Sequence, residues 1–118
     1  MMDAKWEILV LVALVSAGCG GAPLPADRLA SAEATVRGAA EVGGESQPQA
    51  SLHLKMARDQ IAQAKSLIKD GDNDRAGMVL SRAEVDAELA LSLTREASAR
   101  AQATAAIQEA QALRQQAP

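Results

Sequence analysis

The chain of 118 residues predicts an all-α fold, a helical hairpin or loose three-helix bundle with a long C-terminal helix. Three observations carry that prediction. Beyond residue 25, apolar residues recur at three- and four-residue steps, the period of one helix face. Breaks at Pro23-Leu24-Pro25, Gly43-Gly44 and Asp70-Gly71-Asp72 divide the periodic stretches. Apolar-polar alternation, the mark of a strand, does not occur, and Val and Ile are few outside the N-terminal apolar run.

The first element is a targeting segment. Met1 to Trp6 carry one lysine, Lys5, offset by Asp3 and Glu7, and nearly every residue from Ile8 to Ala17 is apolar. Such a run is too short for a transmembrane helix, which needs ~20 residues, and has the size of a signal-peptide core. Ser16, Ala17 and Gly18 are small and immediately precede Cys19, the single cysteine. A peptidase cutting in the membrane plane needs small side chains there. The stretch resembles the lipobox of bacterial lipoproteins, with Ala17 and Gly18 matching its small residues and Ser16 departing from the usual Leu. The resemblance implies cleavage between Gly18 and Cys19, loss of residues 1–18, and thioether- and amide-linked acyl chains (palmitate among them) on Cys19. Several chains on one residue anchor firmly, where a single chain does so only marginally. Gly20 stands where Asp is the familiar inner-membrane retention signal, so the expected address is the outer membrane, facing the periplasm. Two plainer readings stand beside this one: Cys19 as a buried thiol, or a secretory signal cut elsewhere. Residues 19–25 form the expected lipidated tether, since Pro23 and Pro25 prevent a continuous helix.

Residues 26–117 read as one Ala-rich helical domain. In the first helix Leu29, Ala32, Val36, Ala39 and Ala40 share a face, and Asp27 places a negative charge in the first turn. Gly43-Gly44 stops it, Gly44 to Gln47 reads as a polar loop, and Pro48 suits the first position of the next helix. The second helix runs to about Lys69 with Leu54, Ala57, Ile61, Ala64 and Ile68 as its stripe, and Lys65 and Lys69 near its C-terminal dipole. Asp72 is the natural N-cap of the third helix. That helix has no Gly or Pro from Met78 to Ala117. Starting near Asn73 it exceeds forty residues, or ~65 Å. Its first half carries Val79, Leu80, Val85, Leu89, Leu91 and Leu93, and is expected to pack. Its second half has only Ile107 and Leu113 among Ala and Gln, and is expected to be solvated, frayed, or paired with a partner as in a coiled coil.

The run Leu54-Lys55-Met56-Ala57-Arg58-Asp59-Gln60-Ile61-Ala62-Gln63-Ala64, the turn Lys69-Asp70-Gly71-Asp72, then Arg75-Ala76 and Ala83-Glu84-Val85-Asp86-Ala87-Glu88-Leu89-Ala90 together resemble one family. It is the bacterial lipoproteins carrying domain of unknown function 4398, short Ala-rich helical proteins behind a lipobox. The resemblance spans Leu29 to about Gln111 and implies architecture and address, with no activity attached. The Gly-Asp turn also echoes a tetratricopeptide hairpin. A solenoid of such repeats needs a roughly 34-residue period and usually aromatic packing residues, and one turn does not supply it.

Composition narrows function. Trp6, in the targeting segment, is the only aromatic residue. The domain must therefore build its core from Leu, Ile, Val, Met and much Ala, without the side chains that usually dominate burial. The net charge of −3 is small and its signs are interspersed. With no basic patch and no aromatic platform, nucleic acid is not an expected partner. One cysteine excludes an internal disulfide, and one histidine, His53, lacks the companions of a metal site or a nucleophile-base pair. His53 reads as a surface residue. Asp70, Asp72 and Asp74 lack the Gly and Glu offsets of a calcium loop and read as turn and cap chemistry. Glu84, Asp86 and Glu88 read as a solvated charged face, with Arg82 and Arg95 nearby. No Gly-rich phosphate loop occurs.

The expectation is therefore a non-enzymatic protein with no catalytic residue, metal or cofactor. It would be a structural or adaptor lipoprotein, anchored to the membrane through Cys19, whose long helix binds an envelope protein or a second copy. A small-molecule substrate is not expected, nor is a covalent cell-wall tether, since the chain closes Gln115-Gln116-Ala117-Pro118 where such a tether uses lysine. The alternative is a helical binding module that captures a peptide or an envelope polymer.

Overall fold

The computed structural model describes residues 21–118. Residues 1–18 and Cys19, with the expected cleavage at Gly18, lie outside the described residues. Helix α1 spans Ala26–Glu41, a single 3-10 turn spans Gly44–Ser46, α2 spans Pro48–Lys69 and α3 spans Asn73–Gln116. There is no strand among the described residues.

Local chemistry sets each boundary. Pro48 opens α2, and the Gln47 side chain accepts from Ala50 N–H at 2.6 Å in place of a Ser or Asp cap. At the other end Gly71 adopts φ +78°, a left-handed conformation without penalty only for glycine. Gly71 N–H then returns to Ile68 O at 3.1 Å, and Asp72 N–H to Leu67 O at 2.9 Å, the paired bonds of a Schellman cap. Asp72 immediately caps the next helix, accepting from Arg75 N–H at 3.4 Å and pairing with the Arg75 guanidinium at 3.2 Å. One residue thus belongs to the end of α2 and the start of α3, which holds the turn short.

The helices run up, down and up. Arg28 of α1 donates to Ser81 near the start of α3, and Val42 beyond α1 shares a cleft with Thr94, Arg95 and Ser98 further along α3. α1 and α3 are therefore parallel. α2 returns antiparallel between those levels, with Lys65 Nζ 2.6 Å from Glu33 of α1. The core lies where the three meet, and most of it is alanine: Ala32 and Ala39 from α1, Ala50, Ala57 and Ala64 from α2, and Ala76, Ala83, Ala87 and Ala90 from α3. Leu54 and Leu80 are the largest fully buried side chains, and Val36, Ile61 and Val79 complete the set.

Three expectations change. The segment Gly44 to Gln47 is not a loose polar loop, because Gly44 is buried against α1 and α2. A Cβ at Gly44 would lie 2.6 Å from Ala39 O and 2.9 Å from Leu54 Cδ1, so only a hydrogen side chain fits. The tether is not wholly free of the domain, since Asn73 Nδ2 donates to Ala22 O at 2.9 Å. Val85 and Leu89 do not pack in the core but stand 64% and 40% exposed. The physical reason is the choice of face. The line that meets α1 and α2 is Ala76, Ala83, Ala87 and Ala90, where short side chains let helices approach, and the larger residues turn outward. Beyond Ala97 every α3 residue from 98 to 116 is exposed.

Leu54→Ala is expected to cost about 3 kcal/mol and Gly44→Ala about 1–3 kcal/mol, from cavity and overpacking respectively. Gln108→Ala should stay within about 0.5 kcal/mol, as at an exposed site. Urea denaturation followed by helical circular dichroism measures all three.

Candidate partner-binding faces

Two surfaces carry features that core packing does not explain. The first is the seam between α2 and α3. His53 and Gln60 stand two helical turns apart on one face of α2, and both reach Asp86 of α3. A carboxylate can only accept, so His53 Nδ1–H donates to Asp86 Oδ1 at 2.9 Å and Gln60 Nε2 donates to Asp86 Oδ2 at 2.8 Å. The His53 and Asp86 side chains are 25% and 15% exposed. His53 is therefore not the surface residue expected, and Asp86 is not part of a solvated acidic face. Both are drawn under the seam because the short Gly71 turn fixes the register of α2 on α3. Glu84 is half-buried and Glu88 exposed. Gln60 Oε1 is buried without a partner, as is Asn73 Oδ1 at the tether.

Above this cluster lies an open depression lined by Met56, Gln60, Ser81, Arg82, Val85 and Asp86. Met56 and Val85, its apolar lining residues, are 40% and 64% exposed. It can accept an apolar side chain beside a carboxylate. It offers no nucleophile paired with a base. Among the described residues no group of three or more His, Cys, Asp or Glu side chains could hold a metal ion. Asp70, Asp72 and Asp74 do not converge: Asp70 ends α2, Asp72 caps α3, and Asp74 lies exposed in the first turn.

The second surface is the far half of α3. Residues 98–116 are all exposed; Ser98, Ala99, Arg100 and Gln102 still border clefts with Val42, Gln47 and Gln49 at the end of the bundle, and residues 103–116 continue for roughly 21 Å of helix beyond them. Ile107 and Leu113 are 58% and 60% exposed there. Glu96 and Arg100 form an (i, i+4) ion pair at 2.5 Å where the helix leaves the bundle. Thr94, the last buried residue of α3, satisfies its hydroxyl on Ala90 O at 2.8 Å. Among the described residues no helix is long and apolar enough to cross a membrane.

The long helix was legible in composition, and the Asp86 cluster was not. A signal for it existed, since His53 and Gln60 fall seven residues apart on one face. Reading it required the register that the Gly71 cap imposes.

A family model described as Domain of unknown function (DUF4398) matches residues 27–117. No curated protein and no solved structure matches the chain.

If Asp86 organises the seam, Asp86→Ala should cost about 1–2 kcal/mol by leaving its two donors without an acceptor. His53→Ala should then add little in the Asp86→Ala background, which a double-mutant cycle in urea reads as coupling.

Proposed function

The chain belongs to the DUF4398 family, and from that premise we propose that it is a lipid-anchored adaptor of the bacterial cell envelope. In this reading Cys19 carries the lipid at the outer membrane, and the far half of α3 is offered to a protein partner on the periplasmic side. The observation that supports it is the placement of the two ends of α3. Its first residue, Asn73, holds the tether through Ala22 O. Its last turns stand clear of the bundle at the opposite end. A lipid three residues before Ala22 would fix one end of a 44-residue helix and leave the other about 66 Å away. An Ala-rich core of this size needs no such extension for its own packing, so the extension has another use.

A second reading, capture of a peptide along the α2–α3 seam, rests on the depression between Met56 and Val85. Saturable binding of a soluble peptide that Val85→Asp abolishes would favour it over the adaptor.

Intact-mass analysis of the protein extracted from host membranes tests the anchor. The expected mass is that of a chain beginning at Cys19 plus acyl groups, and Cys19→Ser should abolish both cleavage and modification. An unmodified chain in the soluble fraction would remove the anchor from the proposal.

A further inference from the structure

We propose that the partner covering the outer face of α3 is a second copy of this chain, laid antiparallel along it. This rests on reading the far half of α3 as the partner-binding element, and it names that partner. Val85 and Leu89, exposed on the face away from the core, begin a stripe with alternating four- and three-residue steps. Ala99, Ala103, Ala106 and Ala110 continue it, and Leu113 follows in the same register, all exposed. Ser92 and Glu96 fill the two positions between. An alternating three-four spacing sustained along one helix is the seam of a two-stranded coiled coil.

Charge decides the orientation. In a parallel pair the one favourable flanking contact, Glu109 with the second copy's Arg114, is offset by Arg95 facing the second copy's Arg100, and Glu96 would in addition meet its own copy within the seam. In an antiparallel pair centred near Ala101, Arg95 faces the second copy's Glu109. The same alignment sets Leu93 beside Ile107 and Leu89 opposite Leu113, each contact occurring twice by symmetry. Arg100 approaches its own copy near the axis, but each is already paired with Glu96 of its own helix. A shift of one heptad one way sets Glu88 against Glu109. A shift the other way leaves Arg95 and Glu109 facing glutamines. The register centred near Ala101 is thus the one of the three that sets Arg95 against Glu109, and at its centre the small side chains of Ala99 and Ala103 allow close approach.

The test uses the full chain carrying Cys19→Ser, which removes the lipid site and any competing thiol, so that the dimer is read independently of the anchor. Sedimentation equilibrium should show a dimer. Glu109→Arg, at an exposed position, should weaken it at least tenfold, and adding Arg95→Glu should restore it. Nitroxides on Gln102→Cys should lie close together across the dimer, while those on Gln111→Cys should lie about 30 Å apart along the axis. A monomer at the highest soluble concentration would overturn the second copy as partner. Close labels at both positions would overturn the antiparallel arrangement, and failure of the charge swap to restore the dimer would overturn the register.

Discussion

An alanine side chain barely reaches beyond the helix backbone. A face built from Ala57, Ala64, Ala76, Ala83, Ala87 and Ala90 can exclude water only where two helices lie close together. That constraint governs the rest of the molecule. Each buried alanine removes little apolar area, so the bundle leans on Leu54 and Leu80 for its bulk and on close contact elsewhere. It also explains the Gly44 turn. With so little side chain to span the gap, the connection between α1 and α2 must press its backbone onto Ala39 and Leu54, and no Cβ can be accommodated.

Helices, their ends and the long third element were readable because their determinants are local. Pro48, Gly71 and Asp72 each act on neighbours a few residues away, and the chemistry that sets a helix end is written beside it. Which face of α3 turns inward was not readable. Hydrophobicity alone favours burying Val85 and Leu89 over Ala83 and Ala87. The winning face is the one whose small side chains permit close approach, a property of two helices together. The same holds for His53 and Asp86: each looks like a solvated residue in isolation, and only the α2–α3 register brings them within hydrogen-bond distance. The anchor signal at Cys19 is local in the opposite sense, since it concerns processing and lies outside the described fold.

The polar cluster under the seam has a bearing on specificity of packing. Alanine faces are nearly featureless, and two of them can slide by a turn with little change in contact. Asp86 takes one bond from each of two residues seven apart on α2, and a one-turn slip would break both. A half-buried carboxylate with two donors thus holds a register that apolar packing specifies poorly. The Schellman cap at Gly71 acts in the same direction from the end of the hairpin.

The parallel course of α1 and α3 has a mechanical consequence under the proposed anchoring. Tension between a membrane-held N-terminus and a partner at the tip of α3 pulls α1 one way and α3 the other along their common axis. The interface is then loaded in shear, so all of its contacts resist together. An antiparallel pair pulled from the same two points would be peeled open one turn at a time. Forced unfolding is governed by the rate at which the native state opens rather than by its equilibrium stability. Under the proposed anchoring, a thin alanine core loaded this way would hold force better than its modest burial suggests.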